Sequence, residues 1–252
     1  MKRRPLACRF TLGVLLMLTA SVHAQSRPFP LPPKEWPETI NDRPTITFLL
    51  LDRLEYLSDE KSDARVWDAQ GWVGGDWNKF WFKTDGVDVN GHGVEEAEVQ
   101  ALYARLVAPF WFLQAGLRHD AEPTPTRNFA VIGMQGLAPL RFDVEATAFV
   151  SEDGDLSARL EAEYDLLFTQ RLILQPRFET NFAASEVEDL GIGQGVNDIE
   201  LGLRLRYEIR RELAPYVGIT WQRQLGDTAD LARERGEEVE SAAFLLGIRA
   251  WF

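Results

Sequence analysis

Along most of this chain, apolar and polar side chains alternate one by one. Between 159 and 168, Leu160, Ala162, Tyr164, Leu166 and Phe168 share one parity, while Arg159, Glu161, Glu163 and Asp165 share the other. Between 198 and 209, Ile199, Leu201, Leu203, Leu205, Tyr207 and Ile209 oppose Asp198, Glu200, Gly202, Arg204, Arg206 and Glu208. A helix scatters such residues around its circumference, whereas a strand sorts them onto two faces. The same sorting sets Phe142, Val144, Ala146 and Ala148 against Asp143, Glu145 and Thr147, and Leu172, Leu174 and Phe178 against Gln175, Arg177 and Glu179.

Followed along the chain, this alternation predicts twelve strands, near 46–57, 66–74, 77–85, 94–107, 110–120, 127–137, 140–151, 156–168, 172–183, 196–209, 213–225 and 242–252. Connections after even-numbered strands are tight, as at Gly74-Gly75, Ala108-Pro109, Ala138-Pro139 and Arg210-Arg211. Those after odd-numbered strands are mostly longer and polar, with 184–195 and 226–241 the longest and both read as loops. Short turns at one end, long loops at the other and an even strand count describe an all-β fold, a transmembrane antiparallel up-and-down barrel. A soluble β-sandwich also alternates, but its strands usually run about five or six residues. Several strands here are about twice that.

The first 44 residues do not share this pattern. Lys2, Arg3, Arg4 and Arg9, an apolar stretch from Phe10 to Ala20 and the small-residue pattern Val22-His23-Ala24 read as residues 1–24 of a secretory signal peptide, cut after Ala24. Cys8 precedes the apolar stretch, so it is an incidental cysteine and not a lipoprotein anchor. Residues 25–44 hold six prolines and read as an extended, mobile periplasmic leader, leaving 45–252 for the barrel in the outer membrane of a Gram-negative bacterium.

Removing the signal leaves 23 Lys and Arg against 39 Asp and Glu, a charge of −16, and no cysteine. Such a chain is not a nucleic-acid binder, because phosphates call for Lys and Arg. Disulfides cannot hold it either.

If the apolar parity meets outer-membrane lipid, the polar parity lines the lumen. Asp68, Lys79, Glu96, Glu98, Arg159, Glu161, Glu163, Arg177, Glu179, Glu200, Arg204, Arg206 and Glu208 are the candidate lumenal residues. Two readings stay open: a salt-bridge lattice that only braces the interior, or a passage favouring cations. The candidate metal ligands are His119, Met134, His92 and Asp120, since His and Met suit copper and carboxylates suit harder ions. Asp85, Asp88 and Asn90 near Gly91 hint at an oxygen-ligand loop or a plain turn. No Ser accompanies His119 in a recognisable motif, so no enzyme is expected. Within the tryptophan-rich stretch 67–86, Phe80 and Phe82 are expected to face lipid, and Trp72 and Trp77 to flank the tight turn at headgroup depth. Asp68, Gln70, Lys79, Trp81 and Lys83 are expected inside.

Several blocks resemble the copper resistance protein B family: LDRLEY (51–56), WDAQGWVGGD (67–76), NKFWFK (78–83), EVQALYA (98–104), QGLAP (135–139), TQRLILQP (169–176) and LRYEIRRELAPYVG (205–218). The terminal strand ending at Phe252 adds to the resemblance, which runs from about residue 47 to 252. It implies a monomeric outer-membrane barrel that binds copper ions or helps move them out of the periplasm, in company with periplasmic copper-handling proteins. Many members carry a Met- and His-rich segment before the barrel; here the Pro-rich leader, which has neither residue, takes that place. A cation or small-solute channel without metal specificity is the alternative.

Overall fold

The computed structural model describes residues 44–59 and 63–252; the expected signal peptide and nearly all of the expected Pro-rich leader lie outside this range. Twelve antiparallel strands follow one another in chain order. They are β1 (Ile46–Ser58), β2 (Asp63–Gly74), β3 (Asn78–Val89), β4 (Gly93–Ala108), β5 (Trp111–Glu122) and β6 (Arg127–Ala138). Then come β7 (Phe142–Ser151), β8 (Leu156–Tyr164, resuming at Leu166–Leu167), β9 (Leu172–Ala183), β10 (Gly195–Tyr207), β11 (Leu213–Gln224) and β12 (Glu240–Trp251). Each pairs with its chain neighbour, and β12 returns to β1 through Leu50–Trp251 and Tyr56–Leu246. Closure leaves no edge, so every strand finds its hydrogen-bond partners within the sheet.

The barrel is apolar outside. Phe244 is 75 % exposed and Leu117 68 %, with Leu246, Ile132, Phe80 and Phe82 also turned outward. Arg177, Arg204, Arg206, Lys83 and Glu98 are buried inside. A sandwich dissolved in water would reverse this arrangement; lipid around the wall requires it. No helix among the described residues is long and apolar enough to cross a membrane.

The structure departs from the alternation in three places. The expected loop at 86–93 is mostly strand, and only residues 90–92 turn. The expected loop at 226–241 contains α1 (Gly226–Arg235), which has Asp227 in its first turn, Arg233 and Arg235 in its last, and Gly236 as a left-handed C-cap at φ 75°. These are ordinary helix-end signals. Thr228 of this helix accepts hydrogen bonds from the Gly193 amide and from Asn197 Nδ2, both at 2.9 Å, so the helix docks on the long loop before β10. Finally, a bulge in β1 between Leu51 and Arg53 places Asp52 and Arg53 together on the inner wall.

Close approach calls for glycine at several places on the sheet, two of them beneath aromatic rings of a neighbouring strand. Trp67 lies over Gly86, its partner across β2 and β3, and the Tyr216 ring lies over Gly247 on β12. A Cβ at 247 would sit 2.5 Å from the Tyr216 ring, whose hydroxyl donates to Glu55 Oε1 at 3.0 Å. Gly247→Ala is therefore expected to cost about 1–3 kcal/mol in urea unfolding from detergent or lipid, as overpacking does. Adding Tyr216→Ala is expected to recover part of that loss. Strict additivity of the two changes would contradict the packing described.

Candidate functional site: the barrel lumen

Because residues of one parity on neighbouring strands stand opposite each other, register decides which lumenal side chains meet. In one wall Asp68 of β2 faces Asp85 of β3, Asp85 faces Glu98 of β4, and Glu98 faces Asp120 of β5. In another wall Glu145 of β7 faces Glu161 of β8, Glu161 faces Glu179 of β9, and Glu179 faces Glu200 of β10. These are two ladders of four carboxylates each. Like charges directly opposite across a sheet repel, so neither ladder holds without cations.

The cations come from the neighbouring rows. Arg177, 4 % exposed, reaches Glu179 at 2.6 Å, Glu161 at 2.9 Å, Glu163 at 3.2 Å and Glu200 at 3.4 Å. On the first wall Arg118 holds Asp120 at 2.6 Å and Glu98 at 2.7 Å, and Arg53 holds Asp68 at 3.1 Å. Two contacts cross the barrel: Lys83 of β3 to Glu145 of β7 at 2.5 Å, and Arg159 of β8 to Glu98 of β4 at 3.1 Å. Around them Arg204 pairs with Glu55 at 2.6 Å, Arg206 with Asp165 at 2.8 Å and Arg249 with Asp52 at 2.5 Å.

Between the ladders lies a cavity of about 120 Å³. Eight carboxylates line it (Asp52, Asp68, Asp85, Asp143, Glu145, Glu161, Glu163 and Glu179), against four cationic side chains (Arg53, Lys83, Arg159 and Arg249). Asp85 makes no ion pair among the described residues; it stands between Asp68 and Glu98. Gln100, beside them, is buried and leaves its Oε1 without a hydrogen-bond partner. The interior thus concentrates negative potential and oxygen donors in a space sized for a small hydrated ion.

Towards the short-turn end, the inner wall becomes aromatic. Trp72 faces Trp81, with ring centroids 6.2 Å apart, and Phe48 stacks on Trp72 at 5.8 Å. This corrects the expectation for Trp72. The parity that carries Asp68 and Gln70 inward carries Trp72 inward too, so it packs in the lumen and not in a lipid girdle. Trp81 lies inside as expected, its indole N–H donating to Gln70 Oε1 at 3.0 Å. Lys79 also points inward, onto the Trp72 ring at 3.5 Å.

The other candidates are scattered. Glu96 lies further out on β4, exposed opposite Val87, and Glu208 lies in the turn after β10, its amide donating to the Arg171 carbonyl. The four candidate metal ligands do not converge. His119 and Met134 stand on the outer parity, with His119 Nδ1 2.9 Å from Asn128 Oδ1 and Met134 exposed beside Ile132. Asp120, next to His119, points inward to Arg118, and His92 sits in the exposed 90–92 turn. Nor do Asp85 and Asp88 share a loop: both lie in β3, and Asp88 pairs with Arg65 on the outer parity at 3.2 Å. Among the described residues, no three His, Cys, Asp or Glu are already arranged around a metal. Among the described residues the lumen therefore holds neither sulfur nor imidazole; its donors are oxygens, chiefly of carboxylates and amides.

The comparisons with known proteins agree with this architecture. By fold, the chain is similar to the NanC porin (TM-score 0.54, 12 % identity, covering 80 % of this chain and 98 % of that one). It is also similar to the KdgM porin (TM-score 0.51, 10 % identity, 82 % and 99 %). By sequence, it is 45 % identical over 213 residues to copper resistance protein B of Escherichia coli and to a copper resistance protein B homolog of Pseudomonas syringae pv. tomato. Each match covers 84 % of this chain and 72 % of the relative. The family model described as copper resistance protein B precursor (CopB) matches residues 45–252, which is the barrel from its first strand to its last residue. The chain belongs to the copper resistance protein B family.

Proposed function

We propose that this outer-membrane-type barrel serves copper resistance by taking copper ions into its lumen, as a non-catalytic binding site or passage. The observation that supports this reading most strongly is the pair of carboxylate ladders around a small cavity, where acids outnumber cations two to one. Carboxylate repulsion within each ladder is relieved by an added cation, so a positive ion gains where two or more acids approach it. Oxygen donors without thioether, thiol or imidazole suit Cu(II) rather than Cu(I). The salt bridges crossing the lumen narrow it, which favours small cations over large solutes in the general-channel reading as well.

Two predictions separate these possibilities. Asp85→Asn combined with Glu161→Gln neutralises one carboxylate in each ladder without leaving any cation unpaired, since Arg177 keeps three partners. Cu(II) retention by the purified barrel after dialysis is expected to weaken about tenfold or more, the loss of roughly 1.4 kcal/mol or above that two nearby charges represent in a partly dry lumen. Copper tolerance of a strain relying on this protein is expected to fall with it. Wild-type barrel that retains no copper, and whose bilayer conductance ignores copper, would instead identify a cation channel without metal specificity. The second prediction concerns His119→Ala with Met134→Ala. Both side chains face outward, so copper retention and tolerance are expected to match wild type; a loss in either measurement would move the site to the outer wall.

A further inference from the structure

Every other cation named in the lumen has a carboxylate partner. Arg53, Lys83, Arg118, Arg159, Arg177, Arg204, Arg206 and Arg249 each hold one or more acids. Lys79 is the exception. Among the described residues it makes no ion pair within 4 Å, Asp76 acting on it only from farther off; its ammonium lies instead over the faces of Trp72 at 3.5 Å and Phe112 at 4.6 Å, with Trp81 at 5.9 Å. Aromatic faces within about 6 Å attract a cation through the ring quadrupole, more strongly where water is excluded. Phe48 stacked behind Trp72, and the fully buried Leu102 opposite Trp81, hold these rings in place.

The position of this cage gives it a role. Register stacks the inner wall in rows from the cavity towards the short-turn end: Asp68 with Asp85, then Gln70 with Lys83, then Trp72 with Trp81, then Gly74 with Lys79. The aromatic row therefore lies below the acidic cavity, and an ion leaving the carboxylates towards the short-turn mouth meets it next. Lys79 is rooted one row nearer that mouth, on a flexible four-carbon stem, and so can swing out of the cage without disturbing the sheet.

We infer that Trp72, Trp81 and Phe112 form a cation-binding site at the short-turn end of the lumen. Its resident in the closed barrel is the Lys79 ammonium, and ions passing through the lumen exchange with it. The site takes weakly hydrated monovalent cations, because π faces replace a tight hydration shell poorly. The exchange rests on reading the lumen as a cation route; the cage itself does not.

Tetramethylammonium chloride and potassium chloride are suitable probes, with no copper present. Lys79→Met keeps the stem and removes the charge. In this variant, tetramethylammonium is expected to change tryptophan emission saturably, whereas wild type under the same titration, with sodium chloride as control, responds at least several-fold less. Adding Trp72→Leu is expected to abolish the response. Heat-shifted migration in electrophoresis verifies that each variant is a folded barrel. In planar bilayers, potassium conductance of Lys79→Met is expected to rise several-fold over wild type, while Lys79→Arg, which keeps a cation in the cage, stays near wild type. A folded Lys79→Met barrel with no saturable response would overturn the cage. A response without increased conductance would overturn the exchange. Neither result touches the copper reading, which stands or falls on Asp85 and Glu161.

Discussion

The interior is organised by like charges made to face each other. Strand register sets Asp68, Asp85, Glu98 and Asp120 in one row and Glu145, Glu161, Glu179 and Glu200 in another, an arrangement that repels itself. Arg177 alone touches four glutamates, and Lys83 and Arg159 reach across the barrel to tie one wall to the other. Breaking one buried ion pair by removing a partner typically costs about 3–5 kcal/mol, because a charge is then stranded away from water. The lattice is thus stable only while its cations stay in place, and it keeps a surplus of acid in the cavity. Bracing and cation affinity, which look like rival explanations for these residues, are two results of one arrangement.

The same wall changes chemistry along its length. Below the ladders, the rings of Phe48, Trp72, Trp81 and Phe112 occupy the short-turn end of one side. Beside them, Arg118 lies over Phe129 and Phe149 at 5.1 and 4.7 Å. An ion crossing this lumen would exchange oxygen donors for aromatic faces. Among the described residues, soft ligands have no part in the interior, since His119 and Met134 stand on the outer parity and His92 in a turn.

Most of the fold was legible because a barrel wall separates two solvents, and the chain must alternate to satisfy both. All twelve strands fall where alternation places them. The misreadings have separate causes. Trp72 was placed by what tryptophans usually do at a membrane surface, although its parity with Asp68 and Gln70 carried the correct answer. The helix 226–235 was hidden within a polar stretch, yet its acidic start and Arg-Gly end were present. Asp52 and Arg53 were not readable at all, because a one-residue bulge shifts parity without leaving a mark in composition.

By itself, then, the sequence determined the face of most strand residues and how many strands close the barrel, both through a local pattern with a period of two, and its longer blocks carried the family resemblance. Only the tertiary structure decided which inward residues meet. Asp85 beside Asp68 and Glu98, Glu145 under Lys83 and Lys79 among three rings are contacts set by register and by the curvature of a closed sheet. His119 and Asp120, neighbours in the chain, take opposite sides of the wall by alternation alone. Alternation assigns a face to each residue, but partners come from strands as distant in sequence as Glu55 and Arg204, and no local pattern encodes that pairing.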